Sequence, residues 1–276
     1  MHFFSAFTYL YAQTKVDSIL TKKKIQDIFS SHHLSFKIVP SIYNKSTVTG
    51  AQSPNKVEGT FSFGGEAGVD YYKNFNNNNS LVVGLNLGIA ARRFAYTIPL
   101  TDLTNPPINS TKTRGDDYIP LSPLFYASIP VLYEHRWFKE KNGSFIQIGC
   151  NIKFPLNFGN ETNSSFILSS DRVWYKFFSI SEDWQQQFKP NFFISLGIGK
   201  IFLLKNNNLF KVHLSTQIAT TNFIKANYQF TLPTQPLQNG TFNTNGSLVG
   251  LSFSYVLTNH RISNWQYLKK LKQKST

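Results

Sequence analysis

The sequence predicts an all-β fold, a single eight-stranded antiparallel up-and-down β-barrel that crosses a membrane. Three observations predict it. Segment after segment alternates with period two, one series apolar and the other small or polar, the mark of a strand with two unlike faces. The connections alternate strictly between long and short along the chain. The composition is rich in aromatics, at 16%, and poor in charge, at 15%, yet no run of about 18 apolar residues exists to make a membrane helix. A barrel needs no such run, because only alternate residues meet lipid, and a mean hydropathy of −0.23 is compatible with it.

The chain's 276 residues divide in order. Residues 1–13, "MHFFSAFTYLYAQ", carry an apolar run from Phe3 to Tyr11 followed by Ala12-Gln13. They read as a partial signal peptide that lacks a charged n-region. Residues 14–32 form an N-terminal periplasmic segment. Val16, Ile19, Leu20, Ile25, Ile28 and Phe29 have helical spacing there. Residues 33–258 are the barrel, and residues 259–276 a basic periplasmic tail that carries Trp265, Tyr267, Leu268 and Leu271 together with four lysines.

Eight strands are predicted in the barrel: Leu34–Tyr43, Thr60–Tyr72, Leu81–Tyr96, Leu124–Phe138, Phe145–Phe158, Phe192–Leu203, Leu209–Thr220 and Gly246–Leu257. The third shows the pattern best. Leu81, Val83, Leu85, Leu87, Ile89 and Ala91 are apolar, whereas Gly84, Asn86, Gly88 and Arg92 are small or polar. Three connections are short and rich in Asn, Lys or Gly: "KNFNNNNS" from Lys73, "KEKNG" from Lys139 and "KNNN" from Lys205. Such turns suit tight hairpins. Four are long: 44–59, 97–122, 159–191 and 221–245. Short turns at one end with long loops at the other are the layout of a barrel with periplasmic turns and extracellular loops.

Alternation alone fits two barrels. A soluble lipocalin-like ligand-binding barrel would turn the apolar series inward. The purity of the apolar series, the glycines opposite them and the aromatics near strand ends (Tyr71, Tyr72, Tyr96, Trp137, Phe138, Phe158) favour apolar series that face lipid.

Eight strands enclose a lumen that side chains fill. The charges predicted to point inward are Lys37, Glu66, Asp70, Arg92, Glu134, Arg136, Lys153, Lys211 and His213. We read them as a structural polar network, since a buried charge without a partner is costly. Lys37 lies on the strand beside Glu66 and Asp70 and is expected to pair with them. Arg92 and Lys153 count higher toward the long loops and lack an inward carboxylate at their level. Loop residues Asp116, Asp117 or Glu161 are expected to reach them.

Motifs for catalysis are weak. His213 and Ser215 share an inward face, but a base and nucleophile need mutual reach and an orienting third group. His32-His33 have no metal partners at useful spacing, and no phosphate-binding loop, dinucleotide motif or nucleophile elbow occurs. We therefore expect no catalytic residue, metal or cofactor. The net charge of +14 is scattered over turns and the chain ends, which argues against a nucleic-acid partner. The single Cys150 forbids an intramolecular disulfide.

"YASIPVLYEHRWF" from Tyr126 and "GSLVGLSFSYVL" from Gly246, with the strand–turn pattern between them, resemble the OmpA-like or PorT-like outer-membrane barrels of Gram-negative bacteria. The resemblance implies an outer-membrane location, contact with outer-membrane lipid and lipopolysaccharide, and a non-enzymatic role. That role would run through surface loops, in adhesion or ligand contact, or through periplasmic ends, with envelope or secretion protein partners. Lipid A-modifying enzymes of similar size are the alternative.

Overall fold

A computed structural model describes residues 26, 28–29, 32–50, 56–99, 112–139, 142–156, 161–168, 174–182, 190–204, 208–222, 224–230 and 237–257. The signal-like segment 1–13, most of the N-terminal segment 14–32 and the tail 259–276 lie outside the described residues. The described residues hold fourteen strands: β1 (His33–Tyr43), β2 (Thr47–Thr49), β3 (Lys56–Gly59), β4 (Ser62–Asn74), β5 (Asn79–Pro99), β6 (Lys112–Lys139), β7 (Asn142–Pro155), β8 (Glu161–Leu168), β9 (Trp174–Glu182), β10 (Asn191–Leu203), β11 (Leu209–Ala219), β12 (Ile224–Phe230), β13 (Gln238–Thr244) and β14 (Leu248–Leu257).

Eight of them are barrel staves, hydrogen-bonded in the order β4-β1-β14-β11-β10-β7-β6-β5, and β5 pairs with β4 to close the ring. Every pairing is antiparallel. The first and last staves meet directly, Leu34 opposite Leu257, so closure leaves no free sheet edge in the spanning part.

The alternation of the sequence is the alternation of the wall. In β5, Leu85 and Leu87 are 62% and 63% exposed, while Val82, Asn86 and Ala90 between and around them are buried. Phe36, Ile38, Phe63, Ile148, Ile198, Leu214 and Leu251 continue the outward apolar belt on the other staves. Glu134, Arg136, Lys153 and Lys211 are completely buried in the interior. A soluble barrel would show the reverse. An apolar outside with a charged inside is solvated only by hydrocarbon, and this excludes the lipocalin-like reading.

The short turns are built as their composition implies. In the "NNNN" turn the Asn76 side-chain oxygen accepts hydrogen bonds from the backbone N–H groups of Asn78 and Asn79, at 2.9 and 2.8 Å, an Asx-type closure that favours Asn at this place.

The long connections differ from the expectation of loops. Each carries an up-and-down pair of strands of its own: β2 and β3, the upper parts of β5 and β6, β8 and β9, and β12 and β13. β2, β13, β12, β9 and β8 form a second antiparallel sheet in that order. β3 pairs with the upper part of β5, β8 comes against β6, and β2 against β3. These hairpins therefore repeat the circular order of the staves beneath them. Register shifts in the β5–β6 ladder between Ala90 and Arg92, and again before Phe94, mark the change from stave to extension.

Candidate functional site

The lumen is the place where functional side chains converge. Three ion-pair groups fill it. Near the short turns, Glu134 on β6 receives Lys211 Nζ of β11 at 2.5 Å, Gln147 Nε2 of β7 at 2.6 Å and Arg136 Nη1 at 3.3 Å. Arg136 also donates to Asn74 Oδ1 at 3.0 Å and to the Ser80 hydroxyl. Lys211 donates to the Tyr72 hydroxyl at 2.9 Å, and its ammonium lies 4.2 Å from the centre of the Phe145 ring. At mid-height, Lys37 on β1 donates to Asp70 Oδ1 on β4 at 2.7 Å. Nearer the long loops, Lys153 on β7 forms an ion pair with Glu66 Oε1 on β4 at 2.9 Å. The same carboxylate accepts the Tyr126 hydroxyl at 2.9 Å and, on its other oxygen, Gln217 Nε2 at 3.4 Å. Each of these buried charges thus meets an opposite charge, and Glu134, Glu66, Arg136 and Lys211 add hydrogen bonds to polar neighbours, the condition under which charges are tolerated inside protein.

The Glu66–Lys153 pair corrects the expectation that Lys153 lacks an inward carboxylate and looks to the loops. Counting residues from the turn assigned Glu66 to Lys37's level. Staves of a barrel are tilted and staggered, so equal counts on β4 and β7 are not equal heights. The Arg92 side chain and those of Asp116, Asp117 and Glu161 lie outside the described residues. The Arg92 backbone, opposite Leu121, sits at the β5–β6 register shift.

Aromatic side chains close the network at both ends. Toward the long loops, Tyr43, Ala90, Leu124, Tyr126, Phe193 and Leu248 pack together. The Tyr43 and Tyr126 hydroxyls are 2.5 Å apart. The Lys153 ammonium lies 4.5 Å from the Tyr126 ring centre and 4.6 Å from that of Phe193, a cation–π geometry that offsets part of its burial. Toward the short turns, Phe145, Ile201, Leu209 and Val256 surround Phe29, which comes from the N-terminal segment and is fully buried. The Arg136 guanidinium stacks 3.8 Å above the Phe29 ring. Phe29, with Ile28 packed beside it, therefore stoppers this mouth. The helical spacing around Phe29 points to an apolar face there, but nothing in it says that Phe29 enters the barrel.

The other aromatic correction is Tyr72. Its place near a strand end suggested an interfacial girdle, yet it is buried in the lumen and stacks on His33 at 4.5 Å. Its parity with Asp70 and Glu66 carried that information. Tyr126 was equally legible by parity. Its ring lies over Gly88 of the neighbouring stave, where an added Cβ would stand only 2.2 Å from the ring.

His213 and Ser215 do not meet as base and nucleophile. Ser215 donates to the Gly250 carbonyl at 3.2 Å, and His213 packs edge-on against Phe145. Among the described residues no group of three or more His, Cys, Asp and Glu is arranged to hold a metal.

No family model and no curated protein sequence matches the chain. Several solved structures are similar to it. Outer membrane protein OprG from Pseudomonas aeruginosa is 11% identical, with 82% of this chain and 94% of that one covered and a TM-score of 0.39. A major outer membrane protein from Thermus thermophilus is also 11% identical, with 82% and 100% covered and a TM-score of 0.38. Neisserial surface protein A is 7% identical, with 82% and 96% covered and a TM-score of 0.30. Likeness this distant assigns neither family nor activity, and the reading of the chain rests on its own geometry. An antiparallel ring of eight staves, apolar outside, ion-paired inside, short turns at one end and long hairpins at the other, is a transmembrane β-barrel of the outer-membrane type.

Proposed function

We propose that the protein is a non-enzymatic outer-membrane barrel that works through the hairpins on its long-loop side, as a surface contact or adhesion platform. The observation that carries this reading is the second sheet. Loops that merely connect staves have no need of a hydrogen-bonded order of their own. Here four hairpins extend the wall beyond the lipid belt, and Tyr228 buttresses them by donating from its hydroxyl to the Thr49 carbonyl at 3.0 Å. The filled lumen supports the same reading, since the Glu134 and Glu66 networks occupy an interior that eight staves make just wide enough for side chains.

The test is crosslinking in intact cells with a photoreactive residue at the exposed Asn239 or Asn227, compared with one at Phe75 in the first short turn. Capture of an external ligand or surface from the hairpin positions supports the proposal. Capture of envelope proteins from Phe75 alone overturns it in favour of a periplasmic assembly role of the kind implied by the PorT-like resemblance. Membrane fractionation and a heat-shifted gel band check the location and the closed barrel.

A further inference from the structure

Between the two aromatic layers lies a chamber of about 40 Å³. Asn86 of β5, Asn151 of β7, Ser195 of β10, His213 of β11 and Ser252 of β14 line it, together with Gln147 and the Lys37, Asp70 and Glu66 side chains. Five polar atoms in this wall have no hydrogen-bond partner in the protein: Asn86 Oδ1, Asn151 Oδ1, Ser195 Oγ, His213 Nδ1 and Ser252 Oγ. Each belongs to a residue no more than 9% exposed. Native proteins leave only a few such atoms per hundred residues. Five from five different staves, turned onto one small space, make a built site.

Size and charge identify what the site takes. One water needs roughly 10–15 Å³ of space for its centre, so the chamber accommodates about three. The wall is already balanced, because Lys37 pairs with Asp70 at 2.7 Å and Lys153 with Glu66 at 2.9 Å. A cation entering would face the Lys37 ammonium, and an anion would face two carboxylates. The unpartnered atoms comprise two amide acceptors, two hydroxyls that donate or accept, and one ring nitrogen. Only a small neutral molecule that both donates and accepts satisfies that set. We propose that the chamber is a hydration site holding a cluster of about three water molecules, hydrogen-bonded to these five side chains and sealed from both compartments by the Tyr43–Tyr126–Phe193 and Phe29–Phe145 layers. The lumen is then wet at its centre and closed at both ends.

The experiment is X-ray radiolytic footprinting of the full-length protein in lipid nanodiscs. Hydroxyl radicals generated from bound water oxidise adjacent side chains even where bulk solvent does not reach. Expected is oxidation of Leu132, Pro130 and His213, which face the chamber, several-fold above that of Phe193 and Ile201 in the sealing layers. On transfer to ¹⁸O-water, the label should enter these products slowly, over seconds or longer. Oxidation of the chamber residues no greater than that of the sealing layers overturns the proposal. So does immediate ¹⁸O entry accompanied by single-channel conductance, which would mean an open lumen. A change in the labelling of His213 when sodium replaces choline would identify a cation site and also overturn it. Ser195→Val with Ser252→Val, checked for folding by the heat-shifted band, should reduce His213 oxidation several-fold. If that variant fails to fold, the wild-type contrast between chamber and seal still decides.

Discussion

Lys153 and Glu66 meet at 2.9 Å across the lumen, although their staves, β7 and β4, are not neighbours in the ring. The pair binds opposite walls of the barrel together. Tyr126 joins it from β6 and Gln217 from β11, so four staves share one carboxylate.

Glu134 holds the corresponding position near the short turns, with Lys211, Gln147 and Arg136 all donating to it. Glu134→Gln leaves two buried cations without their counter-charge and should destabilise the barrel by ~3–5 kcal/mol. Adding Lys211→Gln should recover part of the loss. Urea unfolding in lipid vesicles, followed by the gel shift, measures both. A single variant as stable as wild type would mean that the pair contributes nothing.

Gly88 leaves room for the Tyr126 ring. Gly88→Ala should cost ~1–3 kcal/mol through overpacking. The cost should largely vanish in a Tyr126→Leu background, because the two residues are in contact and their effects are coupled. A double-mutant cycle in the same unfolding assay reads the coupling.

Leu85 lies in the middle of the outward belt and Tyr71 near its turn-side edge. Arginine in place of Leu85 should cost ~2–4 kcal/mol, and in place of Tyr71 only ~0–1, the depth dependence that a hydrocarbon slab imposes. Equal effects at the two depths would argue against a membrane-spanning wall.

Phe29→Ala removes the stopper ring and its stacking on Arg136. A loss of up to ~3–5 kcal/mol is expected for truncating a buried Phe. Planar-bilayer conductance should remain at baseline, because the Tyr43–Tyr126–Phe193 layer is intact. A new conductance would show that the upper layer does not seal.

The wall was legible in the sequence because lipid and lumen impose opposite demands on adjacent residues. A single stave such as Leu81–Ala91 states both. Lys37 beside Asp70 was legible for the same reason, since neighbouring staves are neighbours in the chain. Glu66 with Lys153 was not, because stagger between distant staves leaves no trace in spacing. The hairpins β8–β9 and β12–β13 were hidden too. Segments such as "ETNSSFIL" and "QNGTFNT" are polar and lack alternation over lipid, so they look like loop composition. Phe29 escaped because its partners, Phe145 and Val256, lie more than a hundred residues away in the chain.

The repetition of stave order in the upper hairpins has a consequence for how this surface can change. Each pair of upper strands stands where the pair of staves below it dictates. The exposed side chains of these strands can therefore be exchanged without shifting the register of the wall. The barrel is then a constant frame, and sequence divergence should be least in the staves and in the paired strands β8, β9, β12 and β13 above them.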